Sequence, residues 1–513
     1  MKNIKIAVGL LMLGFISCDD SIDLENYNNI VTEQFYTNAE EINIGLNGCY
    51  AGMRAPLLDE WALTEIRSDN AYMNIAATSN ENNLNLKDLD IFSPPPNMDH
   101  IYDYWYNSYR NIRNVNFLLE SLKVNYVVGN EDLVFETNFD IPINDQFRKQ
   151  ISAEASFIRA HHYFNLVRLY GDTFLIHEVV SPKDSPNINR SPVADVYKLI
   201  IADLKNAAAY ANSSTYASLA ATDRGKITSW AAKTLLAKVY LTLNRKSDAI
   251  PLLNEVKNMS GHALVTSSYA NIFSITNEMN SEIIFAIRFK GGGIGQGSRL
   301  ANLFAPAVLY SIPGNGSGFN AITIEYSDSF MTGDTRKSMN AITQSNGRIY
   351  SSKHVPVVSL PNESEADWPV LRFSDVLLML AEAEGNTPAS IGNINLVHQR
   401  AGLAAYNTSA TYTPAQFEKI LADERRWEFG HENQRFFDLL RFNSTLTTIN
   451  AEAVMDNHFD LMASVYASYS TNTGVPDLSV IKSNSNPQRY LLPIPQQEID
   501  TNTTITIPQN PSY

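Results

Sequence analysis

The stretch from Glu424 to Phe442 constrains the fold more than any other part of this chain. It reads ERRWEFGHENQRFFDLLRF and interleaves eight charged side chains with seven large apolar ones. At helical spacing the charges lie one turn apart, and the aromatic and leucine side chains fill the opposite face. A solvated charged helix would not need so many aromatics. The charges are therefore predicted to be partly buried and paired with one another.

Asn433 is expected to interrupt this stretch, because Asn tolerates the left-handed backbone conformation that ends a helix. The prediction is two short helices joined by a tight corner, with an ion network that locks the corner. The members of the network are Arg425, Glu428, Glu432, Arg435, Asp438 and Arg441. Carboxylates that Arg already neutralises are poor acid or base groups, so the network is interpreted as structural and not catalytic.

The same stretch resembles the C-terminal signature of the SusD/RagB family of nutrient-binding outer-membrane lipoproteins, which reads roughly ERRxEL-x-x-E-G-x-R-x-x-DL-x-R. The matching positions are Glu424, Arg425, Arg426, Glu428, Glu432, Arg435, Asp438, Leu439 and Arg441. Asn433 stands where the family usually has Gly, a physically mild departure. The segments 159–171, 372–383 and 486–513 are also similar to family motifs. Family members are lids on a TonB-dependent transporter, to which they pass glycans and sometimes peptides or other nutrients.

The N-terminus predicts export and lipid anchoring. Residues 1–17 have a short basic start and an apolar run, which is typical of a secretory signal and too short to span a bilayer permanently. Cys18 follows Phe-Ile-Ser and resembles a lipobox cysteine, so it is the predicted lipid attachment site. Residues 18–36 would then form a tether. The resemblance implies a cell-surface lipoprotein of the outer membrane in Bacteroidota, with a SusC-like TonB-dependent transporter as partner.

Composition and motif spacing exclude several classes of function. Acidic residues outnumber basic ones, 54 to 39, which argues against a nucleic-acid partner. Adjacent His161 and His162 point to different sides of a helix and lack a carboxylate at ligand spacing, so we predict packing and no metal site. The glycine-rich segment 291–297 fails the spacing of a phosphate loop. No cofactor is predicted.

Periodicity predicts a mainly α protein. Helices are expected over 37–54, 57–67, 99–123, 145–171 and 193–211, and helix pairs over 226–259 and 372–402. The two pairs resemble tetratricopeptide units without a fixed period, which indicates a degenerate helical solenoid. One buried strand is predicted over 282–289. Trp61 and Trp105 lie on apolar helix faces and are assigned to the core. The family resemblance implies about four tetratricopeptide-like pairs and an inserted loop-rich subdomain with little strand.

These patterns divide the mature chain into three parts. Residues 37–260 form a helical scaffold that carries an irregular binding loop, 68–98. Residues 261–369 form the inserted loop-rich subdomain, and residues 370–513 complete the scaffold with a C-terminal closing segment. Irregular stretches of this length within a compact domain are uncommon and often functional.

The ligand predicted for these loops is a glycan or oligosaccharide. Flat aromatic faces stack on sugar rings, while Asn, Asp and Arg supply hydrogen bonds, and no proton transfer or metal is needed. The candidate ligand-binding residues are Arg67, Asp69, Asn70 and Tyr72 in the early loop, and Tyr310, Phe319 and Trp368 in the late one.

Three other functions stay open at this point. The same lid could bind a peptide or another non-glycan nutrient. An endo-acting glycosidase would need two carboxylates facing each other about 5–10 Å apart across a cleft, and no motif isolates such a pair. A pure scaffold would bind only protein in its solenoid groove.

Overall fold

The computed structural model describes residues 36–74, 85–306, 312–467 and 477–513. The predicted signal peptide, Cys18, nearly all of the tether and Tyr310 lie outside these ranges. Twelve described helices have eleven residues or more. They are α1 Ala39–Gly52, α2 Arg54–Thr64, α3 Asp99–Ser121, α4 Asp145–Tyr170, α5 Val193–Tyr210, α6 Ser229–Thr242, α7 Lys246–Met259, α8 Phe373–Glu384, α9 Pro388–Arg400, α10 Pro414–Phe429, α11 Arg435–Thr445 and α12 Ala451–Leu461.

Shorter elements connect these helices. Short α-helices span Leu86–Asp90, Leu300–Phe304, Ile324–Ser329, Lys337–Asn340, Leu478–Asn484, Pro487–Tyr490 and Gln496–Thr501. Turns of 3-10 helix span Glu65–Arg67, Ser185–Asn187, Tyr216–Ser218, Ala221–Asp223 and Tyr269–Ile272. The predicted binding loop 68–98 is thus only partly irregular: it includes a short strand, the helix at Leu86–Asp90 and a segment, 75–84, outside the described residues.

Strands are few and pair only in twos. They are β1 Ala71–Tyr72, β2 Val124–Tyr126, β3 Leu133–Phe135, β4 Thr173–Phe174, β5 Arg190–Ser191, β6 Ile283–Ile287, β7 Ala321–Ile322, β8 Ile342–Thr343, β9 Ile349–Tyr350 and β10 Trp368–Arg372. The antiparallel pairs are β1 with β7, β2 with β3, β4 with β5, β6 with β10, and β8 with β9. The predicted strand is present, and all five residues of β6 are buried.

Local sequence explains where the main helices begin and end. Asn144 caps α4 by accepting a hydrogen bond from the Phe147 amide, and Gly171 ends it at φ +71°. Thr413 forms a capping box with Gln416 at the start of α10, and Pro414 occupies the first helical position, where its missing N–H costs nothing. The predicted boundaries of the long helices agree with the structure to within a few residues.

Consecutive helices pack side by side into the predicted solenoid. Helix α4 packs against α3 and α5, α6 against α5 and α7, and α8 against α7, α9 and α10. Ala231, Ala232 and Ala237 on α6 are fully buried, and their small side chains permit close approach of its neighbours. The mainly α, tetratricopeptide-like prediction is confirmed. Trp61 and Trp105 are each 1% exposed, so their assignment to the core is also correct.

Among the described residues, the segment between α7 and α8 carries five of the ten strands and only short helices. Its strands β6 and β10 pair with each other, with Trp368 opposite Ile287 and Arg372 opposite Ile283, which joins the two ends of the segment. Strand β10 crosses the predicted boundary after residue 369, so the insertion and the C-terminal scaffold share one strand.

Candidate functional site

The corner between α10 and α11 has the predicted form. Helix α10 ends at Phe429, α11 begins at Arg435, and the backbone between them turns through His431 at φ +63° and Asn433 at φ +59°. Both amides donate to the buried carboxylate of Glu65, at 2.9 Å from His431 and 3.0 Å from Asn433. The corner is therefore fixed by α2 and its 3-10 extension as well as by its own charges.

Asn433 gives a test of this corner. Asn433→Gly is expected to change the free energy of unfolding by less than about 1 kcal/mol, since Gly adopts positive φ freely. Asn433→Val should cost about 2 kcal/mol, because a β-branched side chain is strained there. Denaturant unfolding of the two variants measures the difference. Equal stability of the Gly and Val variants would contradict the assigned backbone conformation.

A chain of alternating charges runs behind the corner. Lys238 binds Asp375 at 2.6 Å, and Arg425 binds Asp375 at 2.9 Å and Asp438 at 2.8 Å. Arg441 then binds Asp438 at 2.8 Å and Glu382 at 2.8 Å. Each charge has a partner of opposite sign, which is the condition for burying it. Burial opposes ionisation of Asp438, but Arg425 and Arg441 outweigh that effect and hold its pKa below the ordinary value.

A second cluster surrounds Glu428. Its carboxylate accepts from Arg372 at 2.7 Å, from Arg400 at 2.6 Å and from Arg336 at 3.2 Å. Glu432 accepts from Arg372 and from Lys353, each at 2.8 Å. Burial disfavours the charged form of Glu428, but the three guanidinium groups prevail and hold its pKa well below the usual range.

All six side chains predicted for the network form buried ion pairs, but most of the partners are distant in sequence. Of the neighbours one turn apart, only Asp438 and Arg441 form an ion pair with each other. Arg435 binds Asp69 of the early segment, at 2.7 Å, and not Asp438. Helical spacing identified charges on a shared face, but the tertiary fold supplies partners from the rest of the chain.

Most of the ligand-binding residues predicted in the early loop are buried and bind groups in this interior. Arg67 is fully buried, donates to the carbonyls of Arg489 and Tyr490 at 3.0 and 2.9 Å, and lies over the ring of Phe436. It joins the 3-10 turn after α2 to the C-terminal segment. Burial and these backbone bonds leave its guanidinium facing no open surface, which corrects the expectation that it contacts a ligand.

Asp69 and Asn70 are corrected for the same reason. Asp69 is 1% exposed and holds Arg435 with both carboxylate oxygens, at 2.7 and 2.8 Å, and Arg426 at 3.0 Å. Asn70 is fully buried, and its side-chain oxygen accepts from Arg426 at 2.8 Å. The prediction treated residues 68–98 as a binding loop. The first residues of this segment instead complete the ion clusters.

The late candidates divide in a similar way. Phe319 is 4% exposed and stacks on Trp61, with ring centroids 6.3 Å apart. Trp368 is also 4% exposed and stacks on His354 at 4.0 Å. Each ring therefore has one face covered by a buried side chain. Tyr310 falls outside the described residues, and Tyr72 is the one described candidate that stays partly exposed.

Tyr72 adjoins a depression on the loop side of the molecule, here called the loop-face depression. Strand β1 brings Tyr72 opposite Ala321 of β7, and β7 packs against β9, which ends in Tyr350. The polar lining side chains are Asn74, Gln344 and Arg348, and the apolar ones are Phe304, Pro306, Phe319, Ala321, Ile349 and Tyr350. Tyr72, Arg348 and Tyr350 are half-buried, so each presents part of its side chain to solvent.

The loop-face depression encloses only about 20 Å³, so a polyhydroxylated ligand would lie against its rim and not inside it. Tyr72 and Tyr350 offer ring surface, and burial raises the pKa of Tyr72, so its phenol stays neutral and can donate a hydrogen bond. Arg348 and Asn74 add donors. The side-chain oxygen of Gln344 is buried and lacks a hydrogen-bond partner among the described residues.

Gln344, Arg348 and Tyr350 were not among the predicted site residues, although the sequence around them contains a hairpin pattern. The run AITQSNGRIY places Asn346-Gly347 between two short β-prone pairs, the strongest local signal of a hairpin. The structure has that hairpin as β8 and β9, with Ile342 opposite Tyr350. Asn74 lies in a stretch without periodicity, and no pattern marked it.

Two further features bear on the chemistry. Within the described ranges, no three His, Cys, Asp or Glu side chains gather in a way that could hold a metal ion. None of the described helices combines the length and apolar character needed to cross a bilayer. Carboxylates of the ion clusters are bound by cations, as Glu428 is by Arg372 at 2.7 Å and Asp438 by Arg425 at 2.8 Å.

The comparisons with known proteins agree with this architecture. A family model described as the SusD family matches residues 325–513, and a second, described as "Starch-binding associating with outer membrane", matches residues 21–241. The chain belongs to the SusD-like family. A SusD-like protein of Formosa agariphila is 25% identical over 98% of both chains. A SusD-like protein of Bacteroides ovatus is 24% identical over 86% of this chain and 82% of that one.

Solved structures show the same fold. A structure described as a laminarin binding SusD-like protein is 22% identical, covers 93% of this chain and 100% of its own, and superposes with a TM-score of 0.70. The surface glycan-binding protein A from Bacteroides thetaiotaomicron, in complex with laminarihexaose, is 19% identical, covers 92% and 100%, and has a TM-score of 0.72. At these identities the likeness establishes the fold.

Proposed function

We propose that this protein is a cell-surface lipoprotein that binds a glycan and delivers it, chemically unchanged, to a partner TonB-dependent outer-membrane transporter. The observation that carries the proposal is the loop-face depression, where half-buried tyrosine rings and hydrogen-bonding side chains on short strands lie close together. Membership of the SusD-like family supports it, as do structural neighbours named as laminarin-binding and glycan-binding proteins.

The ligand-binding residues in this proposal are Tyr72, Asn74, Arg348 and Tyr350. Tyr72 lies on β1, which pairs with β7, and β7 contacts β9, which carries Tyr350. A sugar ring could stack on either phenol while Arg348 and Asn74 bind its hydroxyls. Binding of this kind needs no acid or base. The carboxylates of the interior are neutralised by Arg and Lys, which supports a role without catalysis.

The anchor and the partner are proposed from the sequence and the family. Cys18 would carry the lipid after removal of residues 1–17, and residues 18–36 would tether the folded part to the outer membrane. The family description that names association with the outer membrane supports this location. The proposed partner is a transporter of the SusC type, to which a lid of this kind would deliver its ligand.

Affinity electrophoresis tests the ligand class and the residues together. The protein should be retarded in native gels that contain one of a panel of glycans, with laminarin and starch included. Tyr350→Ala and Tyr72→Ala should each weaken binding about tenfold, which corresponds to about 1.4 kcal/mol of lost stacking and packing. The matched control is Tyr210→Ala, because Tyr210 is 41% exposed on α5 and outside the depression.

The outcomes separate the alternatives. Retardation that both depression variants lose and the control keeps supports the proposal. No retardation by any glycan, together with retention of peptides on the immobilised protein, would favour a peptide ligand. Equal loss in Tyr210→Ala would show that the depression is not the site.

A further inference from the structure

A second cleft lies on another side of the molecule, among α3, the segment 174–188 and the segment 498–507. Its volume is about 590 Å³, within the range of sites that enclose small organic ligands. The loop-face depression is lined by Asn74 and by residues from 304 to 350, so the two sites share no side chain. Nothing in the proposed glycan site uses this cleft.

The walls of the cleft are mainly apolar. Tyr106 is 46% exposed and stacks on Tyr102 of the preceding turn, with ring centroids 5.7 Å apart and planes inclined by 26°. Ile176, Val180 and Ile188 from the segment opposite complete the apolar wall. Aliphatic side chains of this kind offer little to a sugar hydroxyl, but they bury a flat apolar ring well.

The polar groups of the cleft include two arginines. Arg110 and Arg113 lie one turn apart on the same face of α3 as Tyr106, and both are exposed. Neither forms an ion pair with a carboxylate of the described residues, whereas Arg372, Arg425 and Arg441 do. The Arg113 guanidinium lies over the ring of Phe117, 4.9 Å from its centroid. Glu178 and Glu498 line the cleft as well. Burial raises the pKa of Glu498.

We propose that this cleft is a binding site for an organic anion with a flat apolar body, such as an aromatic carboxylate or sulfonate. The ring enters between Tyr106 and the aliphatic wall, and the anionic group pairs with Arg110 and Arg113 at the edge. Arginine suits this role, because its planar fork of donors binds a carboxylate or sulfonate through two hydrogen bonds.

Fluorescence titration with 1-anilinonaphthalene-8-sulfonate tests the site, since this probe combines a flat apolar body with one negative charge. One saturable site per chain is expected. Arg110→Gln combined with Arg113→Gln should weaken binding at least fivefold, and Val180→Trp, which fills the cleft, should abolish it. The uncharged probe N-phenyl-1-naphthylamine should bind the double Gln variant as well as it binds the natural protein, and fail to bind Val180→Trp.

The charge-matched control is Lys290→Gln combined with Lys419→Gln, whose side chains are 65% and 75% exposed away from the cleft. It should bind both probes as the natural protein does. Circular dichroism verifies that each variant is folded. Absence of saturable binding, binding that survives Val180→Trp, or equal weakening in the lysine control would each overturn the proposal. A failure of glycans to retard the protein in native gels would not affect the fluorescence titration, because the two sites share no residue.

Discussion

Arg372→Ala is expected to destabilise the protein by at least about 4 kcal/mol, the cost typical of leaving buried charges without their partner. Arg372 is 1% exposed and donates to Glu282, Glu428 and Glu432, each at 2.7 to 2.8 Å. Its removal leaves three buried carboxylates with fewer cations than they need. Arg372→Lys should cost less, because the charge stays while the forked geometry is lost.

Denaturant unfolding followed by circular dichroism measures this effect. The control is Arg245→Ala, because the Arg245 side chain is 38% exposed and pairs at the surface with Asp248 and Glu131, which are 43% and 39% exposed. That variant should lose less than about 1 kcal/mol. If Arg372→Ala and Arg245→Ala were equally stable, the buried cluster would not hold the fold together.

Acid is expected to remove the same stabilisation in the native sequence. For Glu428, Glu432 and Asp438, burial opposes ionisation, but neighbouring arginines prevail and the pKa of each carboxyl is lowered. A lowered pKa contributes stability above the unfolded value of about 4, and that stability is lost as pH falls towards the folded value. The free energy of unfolding should therefore fall between pH 4 and pH 2, by up to about 2.7 kcal/mol for each carboxyl that stays ionised in the fold.

Other titrating groups do not reverse this trend. Burial lowers the pKa of His162 to about 3, so its neutral form also adds stability that is lost as pH falls towards 3. Burial raises the pKa of Glu65 to about 7, which costs stability near neutral pH, and that cost is already removed at pH 4. Denaturant midpoints at pH 7, 4, 3 and 2 measure the loss. Added salt should change it little, because the pairs are buried. A midpoint constant down to pH 2 would contradict the assigned pairing.

The helical frame was predictable because its information is local. Helices α3, α4 and α6 carry long apolar periodicity, and Asn144, Thr413 and Gly171 mark ends with known capping chemistry. The corner after α10 followed from charge, aromatic content and Asn433 in one short stretch. Such signals are fixed by neighbours within a few residues, so the sequence alone reveals them.

The partners of the buried charges could not be predicted in this way. Arg336, Arg372 and Arg400 reach Glu428 from three separate segments, and Asp69 reaches Arg435 from the early part of the chain. Their approach depends on tertiary packing, for which helical spacing gives no register. The same limit explains why Arg67, Asp69 and Asn70 were predicted to face a ligand. Their polar side chains indicated an exposed loop, but in the structure these side chains bind groups in the interior.

The aromatic candidates show the complementary limit. Phe319 and Trp368 lie among loop residues in sequence, yet Trp61 and His354 cover their faces. Tyr72 and Tyr350 each end a short strand and stay partly exposed. Residue type alone does not reveal which of these four rings are covered and which stay partly exposed. That difference depends on tertiary packing.

A crystal structure with a bound oligosaccharide, taken from the glycan that retards the protein most strongly, tests the account most directly. The account predicts a sugar ring stacked on Tyr72 or Tyr350 in the loop-face depression, with Arg348 or Asn74 bound to its hydroxyls and every glycosidic bond intact. A sugar bound elsewhere, or one found cleaved beside a pair of carboxylates, would contradict it.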